Sequence, residues 1–150
     1  MQRNLPISSI MTRKIESVGP GDKLERVRQI LEQHAFHHIP VVVKGHLVGI
    51  VSYTDYLRTI REVFSDDRDQ RAVTQVFDTI LVKEVMTPDP LSLHPSDTLE
   101  TVIQIFKENR FHALPVMESD GRLVGILTTY DLMKVMEEMI APELSYTEQA

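Results

Sequence analysis

Leu47-Val48-Gly49-Ile50-Val51-Ser52-Tyr53-Thr54-Asp55 is written into this chain a second time, as Leu123-Val124-Gly125-Ile126-Leu127-Thr128-Thr129-Tyr130-Asp131. Each copy is a short apolar run that stops at a hydroxyl residue and presents an aspartate three positions later. That is the pattern of a strand running into the start of a helix.

The duplication extends well beyond this stretch. Ile10-Met11-Thr12 recurs as Val85-Met86-Thr87, and residues 11–43 align without a gap to residues 86–118. The alignment matches Pro20 with Pro95, Asp22 with Asp97, Leu24 with Leu99, Glu25 with Glu100, Phe36-His37 with Phe111-His112, and Pro40-Val41 with Pro115-Val116. One extra residue in the turn Glu118-Ser119-Asp120-Gly121 shifts the register before the motif returns. Two copies make a pseudo-symmetric pair, not a solenoid. The expected division is a first repeat over 1–64, a linker with a short helix over 65–80, a second repeat over 81–141 and a polar tail over 142–150.

The same local signals occur in both repeats. Asp22-Lys23-Leu24-Glu25 and Asp97-Thr98-Leu99-Glu100 read as capping boxes opening helices at the two aspartates. Leu24, Val27, Ile30 and Leu31 fall on one helical face, as do Leu99, Val102, Ile103 and Phe106, so both faces are expected in a core. Ile39–Val43 and Leu114–Met117 are apolar strands that turn at Lys44-Gly45 and Asp120-Gly121 into the duplicated stretch, giving two hairpins. A proline inside the first strand of each hairpin directs its missing N–H toward an edge or a cleft. Helices follow each aspartate, lined by Tyr56, Leu57, Ile60, Val63 and Phe64 in one and by Leu132, Met133, Val135, Met136, Met139 and Ile140 in the other. The second set is wider than one buried stripe requires, which leaves part of it for a partner subunit. Between the repeats, Ser65–Asp69 reads as a charged turn, and Val73, Val76, Phe77 and Ile80 restore helical spacing.

Composition excludes several functions. A formal charge of -6 with few aromatics lacks the basic stripe of a nucleic-acid surface. The absence of cysteine removes disulfides, thiol catalysis and cysteine-ligated zinc. No apolar run approaches a membrane span and the N-terminus carries no leader pattern, so a cytoplasmic protein with no membrane or nucleic-acid partner is expected. Gly19-Pro20-Gly21 lacks the lysine of a phosphate-binding loop, and no nucleophile elbow is present, so no catalytic residue or catalytic cofactor is assigned. His34-x-x-His37-His38 has a metal-like spacing, but the expected helix ends within it and the spacing is not held on one face; no metal site is assigned.

Met-Thr at the start of each copy, Phe-His-x-h-Pro-Val (h apolar) in the middle and Gly-h-h-Ser/Thr-x-x-Asp at the end resemble a tandem pair of cystathionine-β-synthase (CBS) domains, a Bateman module, over about residues 7–140. The resemblance implies an α/β (α+β) fold of two β-α-β-β-α repeats packed through their sheets with pseudo-two-fold symmetry. It also implies binding of an adenosyl ligand such as AMP, ADP, ATP or S-adenosylmethionine, a homodimer formed through the helices, and control of a regulated protein not yet identified. By resemblance, one cleft joins Ile50, Ser52, Thr54 and Asp55 to Thr87, Leu91, Phe111, His112 and Ala113. The other joins Ile126, Thr128, Tyr130 and Asp131 to Thr12, Glu16, Phe36, His37 and His38.

The residues themselves supply a chemical rationale. One ionised carboxylate can accept both neighbouring hydroxyls of a ribose, and Asp55 and Asp131 are those carboxylates. A helix N-terminus with the hydroxyls of Ser52, Thr54 and Thr128 offers donors and a positive dipole end to phosphate. The same Ser/Thr-x-x-Asp pattern is also an acidic helix cap, and a purely structural interaction or oligomerisation module is the alternative it leaves open. The two clefts are expected to differ. Tyr130 stands where the first has Thr54, and would stack on a ligand, donate its hydroxyl or fill the space. Glu16 opposes phosphate where the first cleft has Leu91, while protonated His37 and His38 would favour a polyanion toward acidic pH.

Overall fold

The structure, a computed structural model, describes residues 3–34, 36–64 and 70–147. The elements in chain order are α1 (Leu24–Gln33), β1 (His38–Val43), β2 (His46–Ser52), α2 (Tyr53–Phe64), α3 (Gln70–Thr79), α4 (Val82–Val85), β3 (Thr87–Pro88), α5 (Leu99–Asn109), β4 (Ala113–Met117), β5 (Leu123–Thr128) and α6 (Thr129–Thr147), preceded by a 3-10 turn at Ile7–Ser9. The fold is the expected mixture of helices and short sheets, and both hairpins are present. The charged turn read at Ser65–Asp69 lies outside the described residues, as do the last three residues of the tail. The tail's backbone is helical through Thr147.

Two compact units form, and each combines pieces of both repeats. One holds residues 16–90 with 121–123, the other residues 1–15, 91–120 and 124–150. The opening segment of each repeat is therefore built into the unit of the other. In the unit carrying β2, the sheet order is β1-β2-β3, and the second repeat's Thr87 and Pro88 pair with Ile50 and Gly49. In the unit carrying β5, the first repeat's Thr12 bridges Ile126, with N–H to carbonyl bonds of 2.9 Å in both directions.

A methionine accompanies each exchange. A Cβ added at Gly49 would lie 2.6 Å from the Met86 sulfur, and one at Gly125 would lie 2.5 Å from that of Met11. Glycine at the third position of the duplicated stretch is thus required by close approach of the incoming methionine, not by backbone dihedrals.

Each unit has its own core. Val18, Leu24, Val27, Ile30, Ile39, Val41, Val51 and Val82 form one. Ile7, Met11, Leu93, Val102, Phe106, Leu114, Val116 and Leu127 form the other. Burying Ile7 and Met11 among second-repeat residues, and Val82 among first-repeat residues, is what fixes the exchange energetically; each fully buried aliphatic is worth about 1.5–3 kcal/mol of transfer free energy. Phe77 and Ile80, half-buried, pack α3 and the residue after it onto the first of these cores. The side chain of Val73 lies outside the described residues.

Pro40 sits in β1 without disturbing the hairpin. Its carbonyl accepts from Val18 N on the side away from β2, so its nitrogen also faces that outer side and no β1–β2 bond is lost.

The helix starts differ from expectation by one residue. Lys23 and Thr98 occupy the capping positions, not Asp22 and Asp97. The aspartates turn backward instead: Asp22 accepts from Gly19 N at 2.7 Å and Asp97 from His94 N at 2.8 Å. A short carboxylate two residues before the first helical residue reaches the preceding turn more directly than the helix amides. Glu25, expected to reach back to the cap, instead pairs with Arg28 at 2.6 Å. Ile103 is also a correction: it is 39% exposed, and the buried stripe of α5 runs through Leu99, Val102 and Phe106.

Candidate functional site

The strand β2 ends at Ser52, and its hydroxyl caps α2. Asp55 N donates to Ser52 Oγ at 3.1 Å, while Asp55 Oδ2 accepts from Ser52 N at 2.9 Å and from Ser52 Oγ at 2.7 Å. This is a reciprocal capping box with an aspartate as its acid. Both bonds to the carboxylate use Oδ2. The other oxygen, Oδ1, is met by Arg58 Nη1 at 3.3 Å, and the Arg58 side chain is 62% exposed.

The Phe-His segment of the same repeat is tied to this helix start. Tyr53 N donates to the His37 carbonyl at 2.7 Å, and the His37 ring meets Tyr53 edge-on. With Tyr53 N and Asp55 N both spent, Thr54 N is the amide of the first turn that could serve a phosphate, fewer donors than an open helix end would offer. Tyr56 braces α2 from beneath, stacked near Tyr53 and facing Phe77. Burial pushes its phenol above the ordinary range, so it stays a neutral hydroxyl.

The duplicate turn is built alike and closed further. Thr128 N and Thr128 Oγ1 each donate to Asp131 Oδ2 at 2.9 Å, and Asp131 N returns a bond to Thr128 Oγ1 at 3.2 Å. Thr129 N donates to the His112 carbonyl at 3.0 Å. Here, however, Oδ1 is also engaged. It accepts from Thr12 Oγ1 at 3.0 Å and from Lys134 Nζ at 3.2 Å, and the Asp131 side chain is only 1% exposed. The Lys134 ammonium lies 4.9 Å from the Tyr130 ring centroid, a cation–π contact. Tyr130 itself is 63% exposed.

The structure brings Ile50, Ser52, Thr54, Asp55 and Thr87 into one unit, with His37 and His38 beside them. His38 is the cross-strand partner of Ser52. Thr12, Ile126, Thr128, Tyr130 and Asp131 share the other unit with Leu91, Phe111, His112 and Ala113. Phe111 packs against that unit's core and Ala113 is buried, which gives both a structural role. Phe36 stacks on His34, and Glu16 lies within 4.0 Å of both Arg26 and His34, so its charge is answered locally. The spacing His34-x-x-His37-His38 resolves into separate ring contacts, His34 on Phe36 and His37 on Tyr53.

Sequence reasoning passed over Arg58 and Lys134. Both stand three residues after their aspartate, a spacing that puts a cation beside an acid on one helix face, and that is the signal that would have found them.

Comparison with known proteins agrees with the fold. The chain matches the CBS domain family over residues 7–62 and 82–138, and it belongs to that family. It is 28% identical to MJ1225 of Methanocaldococcus jannaschii over 134 residues, 89% of this chain and 48% of that protein. It spans between 23% and 62% of the length of the curated relatives it matches. The structure superimposes on the Arabidopsis thaliana protein CBSX2, crystallised in complex with AMP, with a TM-score of 0.74 and 27% identity, covering 89% of this chain and 97% of that one. The CBS domain pair of MJ0100, in complex with 5'-methylthioadenosine and S-adenosylmethionine, superimposes with a TM-score of 0.73 over 89% of this chain and 97% of that one; at 19% identity the likeness is one of fold. Among the described residues no helix is long and apolar enough to cross a membrane.

Proposed function

We propose that this chain is a non-catalytic regulatory module that binds an adenosyl ligand, one of AMP, ADP, ATP or S-adenosylmethionine, at an Asp-bearing turn and relays the bound state to a partner protein. The observation that carries this reading is the divided use of the Asp55 carboxylate. Oδ2 is committed to the helix cap, while Oδ1 faces outward to an exposed arginine. A cap alone has no use for the second oxygen. A ribose diol has two donors to give it, and the displaced Arg58 guanidinium then suits a phosphate. Thr87, exposed and paired with Ile50, brings a hydroxyl from the other repeat to the same unit. The AMP bound by CBSX2, similar over 97% of its crystallised chain, supports the same ligand class.

A homodimer is part of this proposal. Met133, Met136, Met139 and Ile140 stand 48–63% exposed along α6. An apolar row of this length is the kind of surface that subunits cover. For the ligand to act as a signal it must favour one arrangement of the protein over another by differential contact.

Calorimetric titration of protein stripped of co-purified ligand with AMP, ADP, ATP and S-adenosylmethionine tests the reading. Saturable heat with at least one of them, lost in Asp55→Ala, is expected; no heat with any of the four rejects it. The completeness of the two capping boxes favours a second reading, a structural interaction module whose turns only cap helices. Under it, Asp55→Ala lowers stability and no ligand shifts the melting temperature of any variant.

A further inference from the structure

The two turns share a motif and differ in what meets the second carboxylate oxygen. We propose that Thr12 and Lys134 close the Asp131 carboxylate against a ligand diol, so that the chain takes one adenosyl ligand, at Asp55, and not two. The inference rests on the adenosyl-binding reading above and adds its stoichiometry and the residues that set it.

Asp131 has no oxygen left to give. Oδ2 holds two bonds from Thr128, and Oδ1 holds the Thr12 hydroxyl and the Lys134 ammonium. A ribose would have to displace both groups from a carboxylate that is 1% exposed, leaving an ammonium to find another partner. Thr12 holds Oδ1 from within the fold, and Lys134, half-exposed, covers it from outside. Thr12 is fixed by its two-way backbone bridge to Ile126, and its neighbour Met11, buried, fills the space above Gly125. Lys134 is steadied by the Tyr130 ring as well as by the carboxylate.

The equivalent positions in the other unit do not close. Thr87 corresponds to Thr12, and among the described residues its hydroxyl makes no bond to Asp55. Arg58 corresponds to Lys134, but it reaches Oδ1 from an exposed position at 3.3 Å, and the Asp55 side chain keeps 15% of its surface open. Equivalent turns thus yield one carboxylate whose second oxygen meets a single exposed arginine and one whose second oxygen is held by two groups.

The test is the number of AMP molecules bound per chain, measured by calorimetry on full-length protein and repeated with S-adenosylmethionine. One equivalent is expected for the unaltered protein and for Thr12→Ser, which keeps the hydroxyl. Two are expected for the double variant Thr12→Val with Lys134→Met. Adding Asp55→Ala should take the unaltered protein from one equivalent to none and the double variant from two to one. Lys134→Met alone, at a half-exposed position, serves where the double variant does not fold, and a second, weaker equivalent is expected there. Two equivalents in the unaltered protein, or one in every folded variant, overturns the closure while leaving the adenosyl reading intact. No binding of either ligand by any variant overturns both.

Discussion

Thr12 and Asp131, 119 residues apart in sequence, are joined by a 3.0 Å hydrogen bond from hydroxyl to carboxylate. The bond spans the two repeats and ends on a charged acceptor that is almost fully buried, where hydrogen bonds are worth about 1.5–3 kcal/mol. Thr12→Val, which keeps the shape and removes the donor, is expected to lower unfolding free energy by about 1–2 kcal/mol, because Lys134 still faces the same oxygen. Thr12→Ser should restore most of it. Urea denaturation of the three proteins measures this, and equal midpoints for Val and Thr would mean that the bond contributes nothing.

The close approach of Met86 to Gly49 predicts an unequal pair of glycine substitutions. At Gly49 an added methyl meets the Met86 sulfur at 2.6 Å and the Thr87 backbone oxygen at 3.1 Å, so β3 itself must shift. At Gly125 the three nearest atoms all belong to the Met11 side chain, which can change rotamer. Both Gly→Ala changes should destabilise by about 1–3 kcal/mol, as overpacking does, with Gly49→Ala the worse. Thermal unfolding that ranks them the other way would contradict the role given to the Thr87 backbone.

These relationships also mark what could be read from the chain and what could not. The hairpins were legible because apolar alternation, a Lys44-Gly45 or Asp120-Gly121 turn and the hydroxyl stop occur twice in register, and each signal is local. The exchange of opening segments was not legible from periodicity. Thr87-Pro88 is a two-residue strand and Thr12 a single bridge, too short to carry a pattern, and only the burial of Ile7, Met11 and Val82 decides where they dock. The capping aspartates were misplaced by one residue because an Asp side chain satisfies a turn amide before it or a helix amide after it equally well. At the site, the motif named both carboxylates, but the difference between them lies in the Thr12 hydroxyl that reaches Asp131 and in the exposure of Arg58 and Lys134, which no spacing reveals.

Glu25 gives a pH-dependent test on α1. Its hydrogen bond from Arg28 holds the carboxyl below the ordinary value of 4.5, against a smaller opposing effect of burial. A folded-state pKa below the unfolded one stabilises above the unfolded value, and that contribution is lost as pH falls through the folded value. Arg28 also pairs with Glu32 and lies over Phe77, so it stays anchored without Glu25. Glu25→Gln should therefore cost about 0.5–1 kcal/mol at pH 7, the range of a well-formed surface pair, and nothing once the pH is well below 4.5. Melting temperatures of both proteins from neutral to acidic pH should converge at the acidic end; a constant gap would point to packing instead of charge.

The exposed row on α6 predicts the assembly state. Met136 is 63% exposed and Met139 48%. Placing Glu at both positions puts two like charges into any apolar contact formed there, and buried unpaired charge opposes association by several kcal/mol. Sedimentation equilibrium should give a dimer for the unaltered protein and a monomer for Met136→Glu with Met139→Glu. The circular dichroism of the two should match, since neither side chain is in the core. Dimers in both would move the interface elsewhere.

Capping and ligand binding can be separated at one turn because they use different oxygens of Asp55. Ser52→Ala removes the hydroxyl that donates to Oδ2 and accepts from Asp55 N, yet leaves the backbone bond from residue 52 and the whole of Oδ1. It should cost about 1 kcal/mol of stability, as loss of a helix cap does, while AMP still raises the melting temperature. Asp55→Ala should cost about as much and abolish the AMP-dependent rise, because the acceptor for the ribose goes with the cap. Scanning fluorimetry with and without AMP on the two variants reads both quantities at once. If Ser52→Ala and Asp55→Ala lose the AMP response equally, the carboxylate has no role beyond holding the helix start, and Oδ1 is not where the ligand is held.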